Sequence, residues 1–97
     1  MIVTKYRLTE EAKEDLRRIY VYGYKEFGEK QADEYFQSFF DAFEKIAATP
    51  QAYQSVDHFR QGYRRFPHRA DVIYYRIYKD WVDVMAILGS QDMDVWL

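Results

Sequence analysis

The sequence contains no cysteine, only two prolines and only four glycines among its 97 residues. Without cysteine, neither a disulfide framework nor a cysteine-ligated zinc site can form. The sequence also lacks a glycine-rich phosphate loop and the flanking glycines of a serine nucleophile elbow. No apolar run reaches the roughly 18 residues that a membrane helix needs, and no signal-like apolar segment opens the chain. We therefore expect a single cytoplasmic domain over residues 1–97, without a cofactor.

The few histidines also bear on chemistry. His58 and His68 are the only two, and no carboxylate cluster lies beside either of them at a ligand spacing. A metal site is therefore not predicted, and neither is a histidine-based catalytic centre.

Two runs rich in β-branched and aromatic residues, 72–78 and 81–88, flank a polar break at residues 79–80. This pattern predicts a β-hairpin, although the turn lacks the glycine that tight turns prefer. Except for Arg76 and Asp83, both runs are apolar throughout. Because such strands lie within sheets that are covered on both faces, we expect the rest of the chain to supply cover.

Two amphipathic helices are predicted before this hairpin. The first begins after Thr9, whose side chain can cap it, and ends at Gly28, because glycine accepts the conformation that closes helices. The second runs from about Lys30 to Ala48, since Pro50 stops it. Apolar residues recur on both helices at spacings of three and four, which indicates two core-packing stripes. The stripes are Ala12, Leu16, Ile19, Tyr20, Gly23 and Phe27 on the first helix, and Ala32, Tyr35, Phe36, Phe39, Phe40, Phe43, Ile46 and Ala47 on the second.

The predicted order of elements is β-α-α-β-β-β, an α+β fold. An antiparallel helical hairpin should pack on one face of a small, mainly antiparallel sheet. A further strand is expected from Tyr63 to Phe66, where Pro67 should break it. The predicted bounds are 1–8 for the first strand, 10–48 for the helical hairpin, 63–88 for the three-stranded region and 89–97 for a tail. The second sheet face should stay open for loops, the tail or a partner.

Residues 58–79 carry a net charge of +5, whereas the rest of the chain carries −7. A basic region in an acidic protein indicates a specific anionic partner rather than general nucleic-acid binding. Arg64 and Arg65 are adjacent on one strand and should point to opposite faces. Arg76 needs a carboxylate, a ring or an anion. Three roles stay open for it: pairing with Asp83 or an acid of the second helix, binding a partner, or stabilising a phosphate.

A series of residues along the chain matches a known family in order and spacing. They are Tyr6-Arg7-Leu8, Ala12, Asp15-Leu16, Ile19, Tyr22, Gly28, Gln31-Ala32, Phe43, Ile46, Pro50, Gly62-Tyr63-Arg64-Arg65, Val72-Ile73-Tyr74-Tyr75-Arg76 and Val84-Met85-Ala86-Ile87-Leu88. Together they resemble the ParE branch of the RelE/ParE toxins over nearly the whole chain. The family fold is a helical hairpin on a small antiparallel sheet, which agrees with the fold expected from periodicity.

The resemblance implies the toxin of a bacterial type II toxin–antitoxin pair, which inhibits growth by poisoning DNA gyrase and has no catalytic centre. It also implies a hetero-oligomer with a ParD-like antitoxin, and no membrane or direct specific nucleic-acid partner. We expect the antitoxin to contact the first helix and the open sheet face, and gyrase to contact the basic strands and the tail. The expected antitoxin contacts are Leu16, Tyr20, Tyr24, Phe27, Tyr74 and Tyr78. The expected toxicity residues are Arg64, Arg65, Arg76, Met93 and Trp96.

Two other functions stay open. The related RelE branch cleaves mRNA on the ribosome, which requires a general base, a general acid and cations at the phosphate. Residues 89–94 supply neither a cation nor a proton donor where many members of that branch have one. Many ParE sequences have a His and an Arg in this tail, where this chain has Ser90 and Asp92. The third function is an inactive binding module that serves only complex formation and repression.

Overall fold

In the computed structural model, which describes residues 5–89, two helices pack against one side of a four-stranded sheet. The elements in chain order are β1 (Tyr6–Leu8), α1 (Glu10–Phe27), α2 (Glu29–Ala48), a 3₁₀ turn (Pro50–Ala52), β2 (Tyr63–His68), β3 (Asp71–Tyr78) and β4 (Trp81–Gly89). The predicted α+β fold and the predicted order of its elements are confirmed. The predictions for residues 1–4 and for the tail beyond Gly89 lie outside the described residues.

The two helices meet at a single residue, Gly28. Its φ of +92° and ψ of 170° form a conformation that only glycine adopts without strain. The Gly28 N–H donates to the Tyr24 carbonyl, and the Gly28 carbonyl accepts from the Ala32 N–H, so one residue closes α1 and opens α2. At the other end of α1 the Thr9 hydroxyl oxygen accepts from the Ala12 N–H at 3.1 Å, the predicted cap. Neither of these helices, within residues 5–89, has the length and apolar content to cross a membrane.

The sheet has the strand order β1-β4-β3-β2. β1 runs parallel to β4, whereas β3 is antiparallel to both β4 and β2. The predicted hairpin is β3–β4, in which Tyr78 pairs with Trp81 across a two-residue turn. Lys79 takes a left-handed φ of 56° in this turn, so the tight connection forms without the glycine that usually provides it.

The prediction that Pro67 breaks the second strand is wrong, because β2 continues for one residue beyond it. β2 lies at the edge of the sheet, where the missing N–H of a proline removes no hydrogen bond between strands. The preceding loop fills the start of this edge: the Val56 N–H donates to the Tyr63 carbonyl, and the Arg65 N–H donates to the Gln54 carbonyl.

The main core lies between the helical hairpin and the sheet. Phe39, Phe43 and Ile46 of α2 are fully buried, as their stripe predicts. Burying each phenylalanine contributes about 2–3 kcal/mol of transfer free energy. The sheet residues in this cluster are Ile73, Tyr75, Val82, Val84 and Ile87. The Tyr75 hydroxyl donates to the Pro50 carbonyl at 2.6 Å, and burial raises the pKa of Tyr75 to about 12, so this buried phenol stays protonated.

The sheet face opposite the helices, called the outer face here, is only partly open, contrary to the prediction. Residues 53–62 cover its half near the β2–β3 turn, where Val56 and Tyr74 are each 1% exposed. A bulge at Met85 shifts the alternation of β4, so Ala86 joins this second cluster although Val84 faces the helices. The other half of the outer face, near the β3–β4 turn, is left uncovered by residues 5–89.

Candidate functional site

An apolar groove of about 590 Å³ lies between α1 and α2. This surface, the hairpin groove, is lined by Leu8, Lys13, Leu16, Arg17, Tyr20, Asp33, Phe36, Gln37 and Phe40. Leu16 lies at its base with 4% exposure, whereas Phe36 and Phe40 are half-buried. Exposed Lys13 and Arg17 stand on the α1 side of the groove. The groove therefore offers an apolar floor with a basic edge, which suits an amphipathic segment.

Tyr20 bridges the two helices across this groove. Its hydroxyl donates to the Asp33 carboxylate at 2.7 Å, and its ring packs edge-on against Phe36 with centroids 5.7 Å apart. The hydrogen bond to Asp33 is the main cause that raises the pKa of Tyr20 to about 12. Because the hydroxyl already has a partner, the ring is the part of Tyr20 that remains for apolar contact.

The last two turns of α1 present a cluster of exposed apolar side chains, called the hairpin tip. Val21, Tyr22, Tyr24 and Phe27 are 42%, 61%, 50% and 64% exposed, and they account for four of the seven exposed large apolar residues within 5–89. Single exposed apolar residues are common, but a concentration of them on one element is typical of an interaction surface. Within the hairpin tip, Tyr24 adjoins the hairpin groove, because its ring centroid lies 6.2 Å from that of Tyr20, whereas Tyr22 and Phe27 line a second pocket beside the β2–β3 turn.

The predicted toxicity arginines of β2 point to opposite faces, as expected. Arg64 lies opposite Tyr75 in the register and donates to the Tyr53 carbonyl at 2.7 Å. Arg65 lies on the outer face, and its Nη1 is 3.5 Å from the Gln54 side-chain oxygen. Both guanidinium groups therefore hold residues 53–54 against β2, and they do not form one exposed site with Arg76.

Arg76 lies in the uncovered half of the outer face beside Tyr78, which is 49% exposed. Its Nε is 3.4 Å from a carboxylate oxygen of Asp83, so the expected pairing with Asp83 is present. Arg7 of β1 also binds this carboxylate, with its Nε at 2.9 Å and Nη2 at 2.8 Å. Sequence reasoning missed Arg7, although an aspartate within an otherwise apolar strand indicates that cations must lie near it.

The predicted antitoxin contacts divide among three places. Leu16 and Tyr20 line the hairpin groove, and Tyr24 and Phe27 form part of the hairpin tip. The remaining two, Tyr74 and Tyr78, lie on the outer face, where Tyr74 is buried beneath Val56 and Tyr78 is exposed. Sequence reasoning assigned Phe36 and Phe40 to the core and missed them as groove residues. The apolar stripe on α2 is wider than one sheet can cover. This width could have indicated that part of the stripe faces a groove.

A serine–histidine contact lies between α2 and β2. The Ser38 hydroxyl oxygen lies 2.6 Å from the Tyr35 carbonyl oxygen and 2.7 Å from His68 Nε2. Its single hydrogen can be donated to either partner, and the tautomer of His68 decides which. Burial, followed by the charge of Arg69, lowers the pKa of His68. In the part of the chain that the structure describes, no three His, Asp or Glu side chains gather to hold a metal ion.

Comparisons with known proteins agree with this architecture. The family described as "ParE toxin of type II toxin-antitoxin system, parDE" matches residues 6–94. The chain is 36% identical over 72 residues to Toxin ParE1 of Caulobacter vibrioides, covering 74% of this chain and 75% of that relative. It is 30% identical over 93 residues to Toxin ParE1 of Mycobacterium tuberculosis, covering 95% and 94% respectively. A solved structure, "Chromosomal ParDE TA system from P. aeruginosa", superposes with a TM-score of 0.78 over 89% of this chain and 95% of its own, at 15% identity, which is a likeness of fold.

Proposed function

This chain belongs to the ParE toxin family of type II toxin–antitoxin systems, and we propose that it inhibits DNA gyrase by binding to it rather than by catalysing a reaction. We propose further that a ParD-like antitoxin binds the toxin and neutralises it in a hetero-oligomer. The proposed target places this activity in the bacterial cytoplasm.

The observation that carries the antitoxin proposal is the apolar hairpin groove together with the exposed aromatic residues of the hairpin tip on the same helix. An amphipathic helix can place apolar side chains at positions i, i+3, i+4 and i+7 into such a groove. Leu16 and Tyr20 would meet these side chains in the groove, and Tyr24 and Phe27 at the tip. Lys13 and Arg17 on the edge favour a segment with acidic residues along its polar side. We leave the buried Tyr74 out of the proposed contacts.

A binding mode of action agrees with the position of the Ser38–His68 contact. Both residues are half-buried between α2 and β2, and the Ser38 oxygen also lies 2.6 Å from the Tyr35 carbonyl oxygen, as in a structural contact. For target binding we propose Arg76 together with Met93 and Trp96. The last two are tail residues and lie outside the described residues. Arg64 and Arg65 would then act indirectly by holding the loop beside β2.

Two assays on the purified chain test this function. We expect inhibition of DNA supercoiling by gyrase, and no cleavage of mRNA in a translation reaction read by primer extension. Cuts positioned at codons would instead assign the chain to the ribosome-dependent endoribonucleases. An absence of effect in both assays would show an inactive binding module.

The antitoxin surface is tested with the ribbon-helix-helix protein encoded beside the gene. Tyr24→Ala and Phe27→Ala should each weaken its binding about tenfold or more, because exposed aromatic residues often dominate an interface. Phe59→Ala is the matched control, since Phe59 is also an exposed aromatic residue but lies in the loop before β2, outside the proposed contacts. Equal binding by all three variants would remove the hairpin from the proposed interface.

A further inference from the structure

The uncovered half of the outer face concentrates positive charge. β1 contributes Arg7, β3 contributes Arg76, the residue before β1 is Lys5, and the β3–β4 turn contributes Lys79, against the two carboxylates of Asp80 and Asp83. The entire chain is acidic, with a net charge of −2. The local excess of cations is therefore a property of this surface rather than of the overall composition.

Asp83 organises the centre of this surface. The register places Arg7 of β1 and Arg76 of β3 directly opposite Asp83 of β4, one on each side. The three residues form a row across the sheet, called the arginine row here. Asp83 is 7% exposed, whereas the arginine side chains are 48% and 45% exposed. One buried carboxylate thus orients two half-exposed guanidinium groups and neutralises only one of their two charges.

The arginine row keeps hydrogen-bond donors for a ligand. Arg76 meets Asp83 through Nε alone, so both of its terminal nitrogens keep their donors within the described part of the chain. Arg7 uses Nε and Nη2 on the same carboxylate oxygen, which leaves Nη1. Guanidinium groups with two parallel donors suit a carboxylate or a phosphate, because either anion can accept both hydrogen bonds.

The aromatic rings beside the row distinguish between these two anions. Trp81 has the Arg7 guanidinium 4.9 Å and the Lys5 ammonium 5.8 Å from its ring centroid. Arg76 and Lys79 lie 5.7 and 5.5 Å from the Tyr78 centroid. Nucleobases of a single strand bind by stacking on bare ring faces. Because cations already occupy these rings, a ligand with several carboxylates and no bases fits the surface better.

We propose that the arginine row, flanked by Lys5, Lys79, Tyr78 and Trp81, binds an acidic segment of a protein partner through two of its carboxylates. This proposal rests on the proposed role of Arg76 in partner binding, and it adds Arg7 as a second anchor and Asp83 as the positioning residue. The site is separate from the hairpin groove, so a partner on one surface leaves the other accessible.

Titration of the ¹⁵N-labelled full-length chain with hexaglutamate tests the proposal. We expect the Nε–H resonances of Arg7 and Arg76 to shift most, and the affinity to fall as salt is raised. Arg7→Gln and Arg76→Gln should each weaken binding about tenfold, the value of one charge-assisted pair. Arg76→Lys keeps the charge without the two parallel donors and should give an intermediate affinity. Lys45→Gln, which removes one exposed positive charge from α2 on the other side of the sheet, is the control and should bind as the unchanged chain does.

Several results would overturn the inference. Equal binding by the Lys45 and Arg76 variants would show only general charge attraction. Tighter binding of hexathymidylate than of hexaglutamate would assign the surface to nucleic acid. A parallel supercoiling assay separates this inference from the proposed function. If gyrase is inhibited but hexaglutamate does not bind, the acidic-segment site is refuted and the proposed gyrase target stands. If hexaglutamate binds at the row but gyrase is not inhibited, the target proposal fails and the acidic-segment site stands.

Discussion

The Asp15 carboxylate of α1 accepts a hydrogen bond of 2.9 Å from the backbone N–H of Ile87 in β4. β1 pairs with β4 only as far as Val84, so no strand among residues 5–89 lies beside the next part of this edge. Arg18, paired with Asp15, donates to the Ile87 carbonyl at 3.1 Å. The Thr9 hydroxyl donates to the carbonyls of Val84 and Met85. Side chains of the first helix and its cap therefore take the place of a strand along this edge.

Replacing Asp15 tests whether side chains of α1 take the place of a strand at this edge of β4. Asp15→Ala should lower the free energy of unfolding by about 1–3 kcal/mol, because it leaves the buried Ile87 N–H without an acceptor. Asp15→Asn keeps an acceptor oxygen and should lose less. Urea unfolding followed by circular dichroism measures both. Glu14→Ala removes only an exposed pair with Arg17 and should change stability by less than about 1 kcal/mol; a loss as large as that of Asp15→Ala would contradict the assignment.

The single-residue joint between the helices depends on glycine. Gly28→Ala should destabilise the fold by about 1–3 kcal/mol, since alanine is strained at the φ of +92°. Gly23→Ala is the matched control inside α1, where the new Cβ would lie 3.7 Å from the Ala32 Cβ, an ordinary contact. This change should be neutral or stabilise by up to about 1 kcal/mol, because alanine favours helices. Thermal or urea unfolding that ranks the two variants in the reverse order would refute the role of Gly28.

His68 should make stability depend on pH in the mildly acidic range. Its pKa in the folded chain is lowered from 6.5, mainly by burial. Between 6.5 and that lower value the unfolded chain binds a proton that the folded chain does not. The free energy of unfolding should therefore fall as the pH drops through this window, with a slope of at most about 1.4 kcal/mol per pH unit.

The variant His68→Gln isolates this component of the pH dependence. Glutamine can donate to Ser38 through its amide but does not titrate, so the slope below pH 6.5 should become shallower. The unchanged chain, measured in the same way, is the reference. The measurement is urea unfolding at pH values from 5 to 7. Identical slopes for His68→Gln and the unchanged chain would show that His68 is not the group responsible.

Arg64 should act as a clamp on the loop that covers the outer face. Arg64→Ala removes the donor to the Tyr53 carbonyl, so we expect residues 53–62 to open more often. The Val56 amide donates to the Tyr63 carbonyl. Its hydrogen exchange should become about tenfold faster for each 1.4 kcal/mol by which the free energy of opening the loop falls. Lys30→Ala, at an exposed position of α2, should not change this rate. If exchange at Val56 stays protected in Arg64→Ala, the clamp is absent.

Local patterns gave much of this fold. The two helices, the Thr9 cap, the stop at Gly28 and the hairpin around residues 79–80 are correct, because each depends on residues within a few positions of one another. Phe27, which the stripe of the first helix assigned to the core, is instead 64% exposed. The opposite directions of Arg64 and Arg65 follow in the same way from the two-residue repeat of a strand. The family resemblance likewise depends only on the order and spacing of residues.

Other features depend on contacts between distant parts of the chain. The bulge at Met85, the continuation of β2 through Pro67 and the cover of Tyr74 by Val56 follow from which strands become neighbours and where the sheet ends. The sequence alone therefore determined the helices, the hairpin and the amphipathic faces, through short-range sterics and periodicity. Only the tertiary structure decided which faces stay exposed and which charged side chains meet. Arg7 and Asp83, for example, are 76 positions apart in the sequence, and the packing of the chain brings them together.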